Sequence, residues 1–277
     1  MPNYIKNRIQ IIGTPEQIEQ VLNRFSTNYE KEIRTSYYGD LVYKDKVTGE
    51  FGWLNQKTNE FKLRGRELPL TGVPDNFEPH YNEAWTRFPD FNKIIPRPES
   101  LDITSDNWIM PLENQFSFNT IFKDHVDKLK DVCSKCPDRK EEMVNNFLQG
   151  IRNYIDHGHA TWLGWSRANW GTKWNSSDCD KVDENTFDFI TAWNGVPELI
   201  EKISIEFPEI EFIYEFSDED TGCNCGRGIF LHGNTSFHQP ENCSKEAYDL
   251  AFKLRPDNAK YYTLVDGNYK YKEEEEE

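Results

Sequence analysis

Residues 7–12, "NRIQII", form a short apolar run closed by Gly13, and this pattern predicts a strand. In "TPEQIEQVLNRF" the period changes. Ile18, Val21, Leu22 and Phe25 recur at helical spacing behind Thr14 as N-cap and Pro15 at the first helical position, which predicts a helix over Pro15–Phe25. From Tyr37 to Arg66 short β-rich segments alternate with turn formers, so "YGDLVYKD", "EFGWLNQ" and "EFKLRGR" read as a three-stranded meander. A Thr-x-Glu-Phe core recurs there at Thr48 and Thr58, a repeat too short to build a solenoid. "FNKIIPRP", Phe91 to Pro98, reads as a short strand stopped by prolines.

Helical periodicity dominates from 101 to 158. "FNTIFKDHVDKLKDVCSKCP" puts Ile121, Phe122, Val126, Leu129 and Val132 on one face, and "DRKEEMVNNFLQGIRNYIDHG" does the same with Met143, Phe147, Leu148, Ile151 and Ile155 behind Asp138 as N-cap. An antiparallel helical pair is expected. The last third alternates again. "TFDFITAW" predicts a strand, "VPELIEKISIEF" a helix, "IEFIYEF" and "GRGIFLHG" strands, "SKEAYDLAFKL" a capped helix, and "YYTLVDGNYKY" a strand pair turning at Asp266-Gly267.

Composition narrows the work such a fold can do. Lys and Arg number 32 against 48 Asp and Glu, a net charge of −16, and five of the acids form the closing run Glu273 to Glu277, expected to be disordered. A field of that sign repels phosphate backbones and favours a protein partner with a basic surface. No apolar window reaches membrane-spanning length and no secretory leader is visible, so a cytoplasmic chain with no membrane association is expected, its six cysteines read as thiols or ligands.

Several residue clusters carry candidate chemistry. Cys133-x-x-Cys136 and Cys223-x-Cys225 together supply four sulfurs of the kind that hold tetrahedral zinc, although Cys-x-Cys is not a zinc knuckle and the pairs lie far apart in sequence; separate thiols and no cofactor are the default, and a zinc enzyme or zinc-stabilised domain the alternative. His157 and His159 beside Asp156 suit a metal or acid–base pair if extended, but "HG" reads more simply as a helix end. Trp162, Trp165, Trp170 and Trp174, with Arg167 and Lys173, are core anchors, a partner hot spot or a base-stacking platform. Asp178 and Asp180, and the run Asp218, Glu219 and Asp220, lack calcium-loop spacing and read as solvated acid available to a partner. No phosphate loop or nucleophile elbow is present, so no catalytic residue is assigned.

The combination "MPNYIKNRIQIIG", "FNKIIPRP", "WGTKWN", "FDFITAW" and "VPELIEKISIEFPEIEFIYEF" resembles the YubB ferredoxin-like family. Met1, Pro2, Asn3 and Asn7 match its opening motif, with Tyr4 and Ile5 in place of Trp-Cys; Trp170, Gly171, Lys173, Trp174, Thr191, Ala192, Trp193, Pro197 and Pro208 match further on. The resemblance covers about the first 25 residues and Ala168 to Phe230. Members occur in plasmids, prophages and phages, and the family assigns no catalytic residue. It implies an α+β, ferredoxin-like β-α-β-β-α-β antiparallel sheet with two helices on one face, in agreement with the pattern of elements. Its core segments would be 6–30, 90–98 and 161–233 of a single domain 1–272. Insertions would occupy 37–85 (meander and loop) and 101–158 (helical pair), with an extension at 244–272 and a tail at 273–277.

The expected function is therefore a non-catalytic accessory protein of a phage or mobile element that binds a host protein. In its sharper form the acidic surface imitates nucleic acid and inhibits a defence or DNA-handling protein. A single-strand nucleic-acid binder using the tryptophans is a further alternative, disfavoured by the −16 charge. Oligomeric state is left open.

Overall fold

The structure, a computed structural model, describes residues 3–36, 39–64, 70–103, 126–127, 129–131, 133–135 and 137–272. Strand β1 (Tyr4–Ile12) alternates strictly: Ile5, Asn7, Ile9 and Ile11 are buried on one face, and Lys6, Arg8 and Gln10 project from the other. Helix α1 (Pro15–Phe25) begins where its sequence predicts, because Thr14 and Gln17 complete a reciprocal capping box, each side chain accepting the other's backbone N–H.

Residues Thr27–Arg87 form a compact unit of their own. It contains β2 (Thr27–Tyr29), β3 (Leu41–Asp45), β4 (Phe51–Asn55), β5 (Glu60–Leu63), β6 (Leu70–Thr71), β7 (Phe77–Pro79) and β8 (Trp85–Arg87). The expected meander is present as β3, β4 and β5, enlarged by β6 and β7 into a five-stranded antiparallel sheet, while β2 and β8 pair as a separate ribbon. The Thr-x-Glu-Phe repeat marks two equivalent hairpin turns: Asp45 Oδ1 accepts the Val47 and Thr48 N–H groups as Asn55 Oδ1 accepts those of Lys57 and Thr58, and Gly49 and Asn59 both take positive φ. The two phenylalanines differ, Phe51 being exposed and Phe61 buried with Val42 and Phe77. A Cβ on Gly52 would sit 2.2 Å from the Phe61 ring, so glycine is needed where that ring crosses β4. With ten acidic and nine basic residues this unit is close to neutral, and nearly all of the −16 lies in the other unit.

The other unit comprises Met1–Ser26 and Phe88–Glu277. Here the expected strand at Phe91–Ile95 is a single turn of helix, α2 (Phe91–Ile94). Asp90 caps it by accepting the Asn92 N–H, Asn175 Oδ1 accepts the Phe91 N–H, and Pro96 prevents continuation. Of the expected helical pair, the first member falls mostly outside the described residues, and those described between 126 and 135 are helical. The second is α3 (Lys140–His157), which follows a 3₁₀ turn at Pro137–Arg139 rather than a cap at Asp138 and ends at left-handed Gly158 (φ 73°). Met143 and Phe147 of α3 pack with Leu129, Cys133 and Ala160 in a small separate core.

Helix α4 (Trp162–Trp170) follows, then β9 (Ser177–Lys181), β10 (Thr186–Ala192), α5 (Pro197–Glu206), β11 (Glu211–Asp218), β12 (Gly226–Leu231), β13 (Asn234–His238) and α6 (Lys245–Leu254). The chain closes with the hairpin β14 (Tyr262–Val265) and β15 (Asn268–Tyr271), which turns at Asp266 and Gly267, both at positive φ, as the Asp-Gly pair predicts.

β1 lies at the centre of a six-stranded antiparallel sheet ordered β13-β12-β11-β1-β10-β9. The strand beyond β10 is thus β9, not the segment around Phe91. One core joins Ile5, Ile9, Phe189 and Phe212 of the sheet to Val21 and Phe25 of α1 and Leu199, Ile200 and Ile203 of α5. Helix α6 lies on the opposite face, since Lys253 bonds Glu215 while the neighbouring Tyr214 points into that core. Among the described residues no helix is long and apolar enough to cross a membrane.

Candidate functional site

The turn after β10 is built from below by a buried polar network. Tyr214 Oη donates to Asn7 Oδ1 at 2.5 Å and accepts the Val196 N–H at 2.7 Å. Asn7 Nδ2 donates to Thr191 Oγ1 at 2.9 Å, and Thr191 Oγ1 donates to the Asn194 carbonyl at 2.7 Å. Each buried group has a partner, so the network fixes the chain from 191 to 196 instead of destabilising it. Burial pushes the Tyr214 hydroxyl far above the usual tyrosine range, which keeps it a neutral donor at any ordinary pH.

Two further ties dock the segment after α4 onto this turn. Thr172 Oγ1 donates to the Ala192 carbonyl at 2.7 Å and accepts its N–H at 3.1 Å, and Asn194 Nδ2 donates to the Gly171 carbonyl at 3.3 Å. Lys173 and Trp174 are thereby carried to Trp193. Lys173 Nζ lies 4.3 Å from the Trp174 ring centre and 5.3 Å from that of Trp193, and Arg167 of α4 covers Trp193 at 4.4 Å. Trp174 is 40% exposed and Trp193 half-buried.

Trp193 adopts φ 75°, in the left-handed region that a bulky side chain rarely occupies. Its neighbours hold it there. The Trp193 N–H donates to the Asn3 carbonyl at 2.9 Å, and its own carbonyl accepts Asn224 Nδ2 at 2.9 Å. "TFDFITAW" predicts a strand that includes Trp193; instead Trp193 lies one residue past β10, with its ring beneath two cationic side chains.

The same Asn224 also donates to Asp218 Oδ2 at 3.2 Å, which couples the aromatic patch to the acidic run. Asn3 Nδ2 bridges Asp218 and Asp220 at 3.1 and 2.9 Å. Glu219 Oε1 accepts the Tyr4 N–H, and Arg255 Nη2 donates to the Tyr4 carbonyl. Burial pulls the Arg255 guanidinium below its usual pKa, opposed by the nearby charges of Glu219 and Asp218. Asp218 is buried and committed to this network, whereas Glu219 and Asp220 are exposed beside it.

The residues singled out from sequence therefore separate. Trp165 and Trp170 are core side chains, Trp170 donating its Nε1–H to the Ile95 carbonyl, and Trp162 packs against the same core. Lys173, Trp174, Asp218, Glu219 and Asp220 are joined through Trp193, Asn3 and Asn224. Asp178 and Asp180 are exposed on the edge strand β9. Sequence reading missed Asn3 and Asn224 as linking residues. Asn224 carried a faint signal, since it stands in "GCNCG" and asparagine tolerates the left-handed backbone it adopts (φ 43°).

The four proposed zinc sulfurs are not brought together among the described residues. Cys133 belongs to the small core beside α3, Cys225 packs with Ala247, Leu250, Ala251 and Leu254, and Cys136 lies outside the described residues. No group of three or more His, Cys, Asp or Glu side chains among the described residues is placed to hold a metal ion. His157 and His159 do not form a strand pair: His157 occupies the last turn of α3, with Nε2 3.3 Å from Ser100 Oγ.

Residues 169–255 match the family model described as the ferredoxin-like domain in Api92-like protein. No curated protein matches the chain. Among solved structures, a crystal structure of a protein api92 from Yersinia pseudotuberculosis is similar at 10% identity over 87% of this chain and 99% of that chain, with a TM-score of 0.34, a likeness too distant to carry an argument. The chain is a mixed α+β protein with antiparallel sheets and a ferredoxin-like domain, and its residues 169–255 are similar to the domain described for Api92-like protein.

Proposed function

We propose that the protein is a non-catalytic binding factor that docks a host protein with a basic surface, in the service of a phage or other mobile element. The single observation that carries this reading is Trp193. Its ring is presented beside exposed Trp174 from a backbone conformation that neighbouring hydrogen bonds must enforce, and such strain concentrates where function requires it. Tryptophan and arginine dominate the energetic centres of protein interfaces, and Trp174, Trp193 and Arg167 supply them here. Exposed Glu219 and Asp220 form an acidic rim tied to the same turn, and the −16 field steers a basic partner and repels nucleic acid. The wider setting is supported by the resemblance to a family carried on plasmids, prophages and phages. In its sharper form the acidic surface occupies a cleft that otherwise takes nucleic acid.

Affinity capture from host cells tests this reading with three baits: the unaltered chain, Trp174→Ala, and the double variant Glu219→Gln/Asp220→Asn. The expected result is a basic protein recovered at low salt by the unaltered chain, released at high salt, and lost from both variants. Recovery that is indifferent to salt and to both variants, or retention of single-stranded nucleic acid in preference to any protein, overturns it.

A further inference from the structure

Two of the thiols near the acidic run face each other across a built contact. The Cys243 N–H donates to the Gly222 carbonyl at 2.7 Å, and the Asn224 N–H donates to Asn242 Oδ1 at 2.9 Å, so residues 222–224 and 242–243 lie side by side. A backbone hydrogen bond to the carbonyl just before Cys223 sets the two cysteines side by side with their side chains in contact, the arrangement a disulfide requires. The contact is pinned from outside as well, since Asn268 Nδ2 donates to the Cys243 carbonyl and the Tyr248 ring packs so closely on Gly222 that a Cβ there would lie 2.6 Å from it. Cys243 is exposed and Cys223 half-buried. Both are free thiols, and the two interact with each other.

We propose that Cys223 and Cys243 close an intramolecular disulfide when the protein meets an oxidant of the peroxide class. Exposed Cys243 attacks the peroxide O–O bond, which breaks to release one water and leaves a sulfenic acid on its sulfur. The Cys223 thiol then displaces the second water as the S–S bond forms. Two S–H bonds are lost, the two sulfurs give up two electrons, and one peroxide becomes two waters. Neighbouring Cys225 stays out of the exchange. Its Sγ is buried against the Ala247 carbonyl, and burial pushes its thiol up to about 11, so little thiolate is available. Burial and the Cys243 neighbour also raise the Cys223 thiol, so exposed Cys243 is the sulfur that meets the peroxide first, and Cys223 enters only because it already lies against Cys243. The bond would tie the loop carrying Asn224, and through it Trp193 and Asp218, to the N-cap of α6 at Ser244.

The experiment treats the full chain with hydrogen peroxide, blocks the remaining thiols with iodoacetamide, and maps tryptic peptides without reduction. The expected product is a cross-link between peptides 203–227 and 228–245, two mass units lighter than the sum of the two peptides with Cys225 alkylated. It should be absent from Cys223→Ser and retained in Cys225→Ala. If Cys225→Ala does not fold, fragment ions of the unaltered cross-linked peptide still separate Cys223 from Cys225 across Asn224. A link through Cys225, a link between two chains, or oxidation of Cys243 to sulfinic acid without any link overturns the proposal.

Discussion

Tyr214 Oη and Asn7 Oδ1 meet at 2.5 Å between diagonal positions of β11 and β1, both side chains fully buried among apolar neighbours. The phenol bridges two elements, because it also accepts the N–H of Val196 just ahead of α5. Tyr214→Phe keeps the ring and removes only the oxygen, which leaves a buried acceptor and a buried donor unpaired. A loss of about 1–3 kcal/mol in urea-unfolding stability is expected. A change within measurement error would mean that the network does not hold the turn.

The strain at Trp193 can be weighed separately from its ring. Trp193→Ala and Trp193→Gly both delete the indole, but only glycine occupies φ 75° without steric penalty. The glycine variant should therefore be more stable than the alanine variant by about 1 kcal/mol, the reverse of the usual order for these two residues. Equal stabilities, or alanine ahead, would show that the turn relaxes to an ordinary backbone.

Elements with strong local signals were readable from sequence, and those whose reason lies in distant partners were not. α1 announced itself through Thr14 and Pro15, and the closing hairpin through Asp266-Gly267, since these codes act within a few residues. "FNKII" misled because a short apolar run does not distinguish a buried strand from a buried helical turn; Asp90 and Asn175 decide it, and Asn175 lies 84 residues from Phe91. Strand β9, "SDCDK", carries no apolar alternation at all and exists because β10 offers it a backbone edge. Among the clustered tryptophans, only three-dimensional packing separates Trp170, 1% exposed, from Trp174 four residues later.

Gly195 lies two residues before α5, flat against Phe216 of β11. A Cβ there would come 2.4 Å from the ring, and Phe216 cannot retreat freely because it stacks on Phe237 of β13. Gly195→Ala should cost about 1–3 kcal/mol by overpacking. Gly158→Ala is the informative control: no neighbour crowds it, so any cost there comes from backbone conformation alone. A tolerated Gly195→Ala would show that the Phe216–Phe237 stack shifts easily.

Acid should weaken the protein partly through Asp188, on the sheet face away from the main core. Burial alone would raise its pKa, but the hydrogen bonds from Arg8 at 2.7 and 2.8 Å and the Lys6 ammonium at 3.1 Å outweigh it and hold the carboxyl below its usual value. A carboxylate whose folded pKa is depressed binds its proton more readily in the unfolded chain. Its stabilisation is therefore complete above the ordinary carboxylate pKa of about 4 and disappears as pH falls through the lower folded value. Asp188→Asn should accordingly cost about 1.5–3 kcal/mol at neutral pH, where it strips Arg8 and Lys6 of their shared anion. The gap between variant and unaltered chain should then narrow as pH drops below about 4, because protonation removes the same charge from the unaltered chain. Chemical-denaturation midpoints of both proteins between pH 7 and pH 2.5 provide the check. A gap that stays constant across that range would mean that the pairing adds nothing beyond the shape of the side chain.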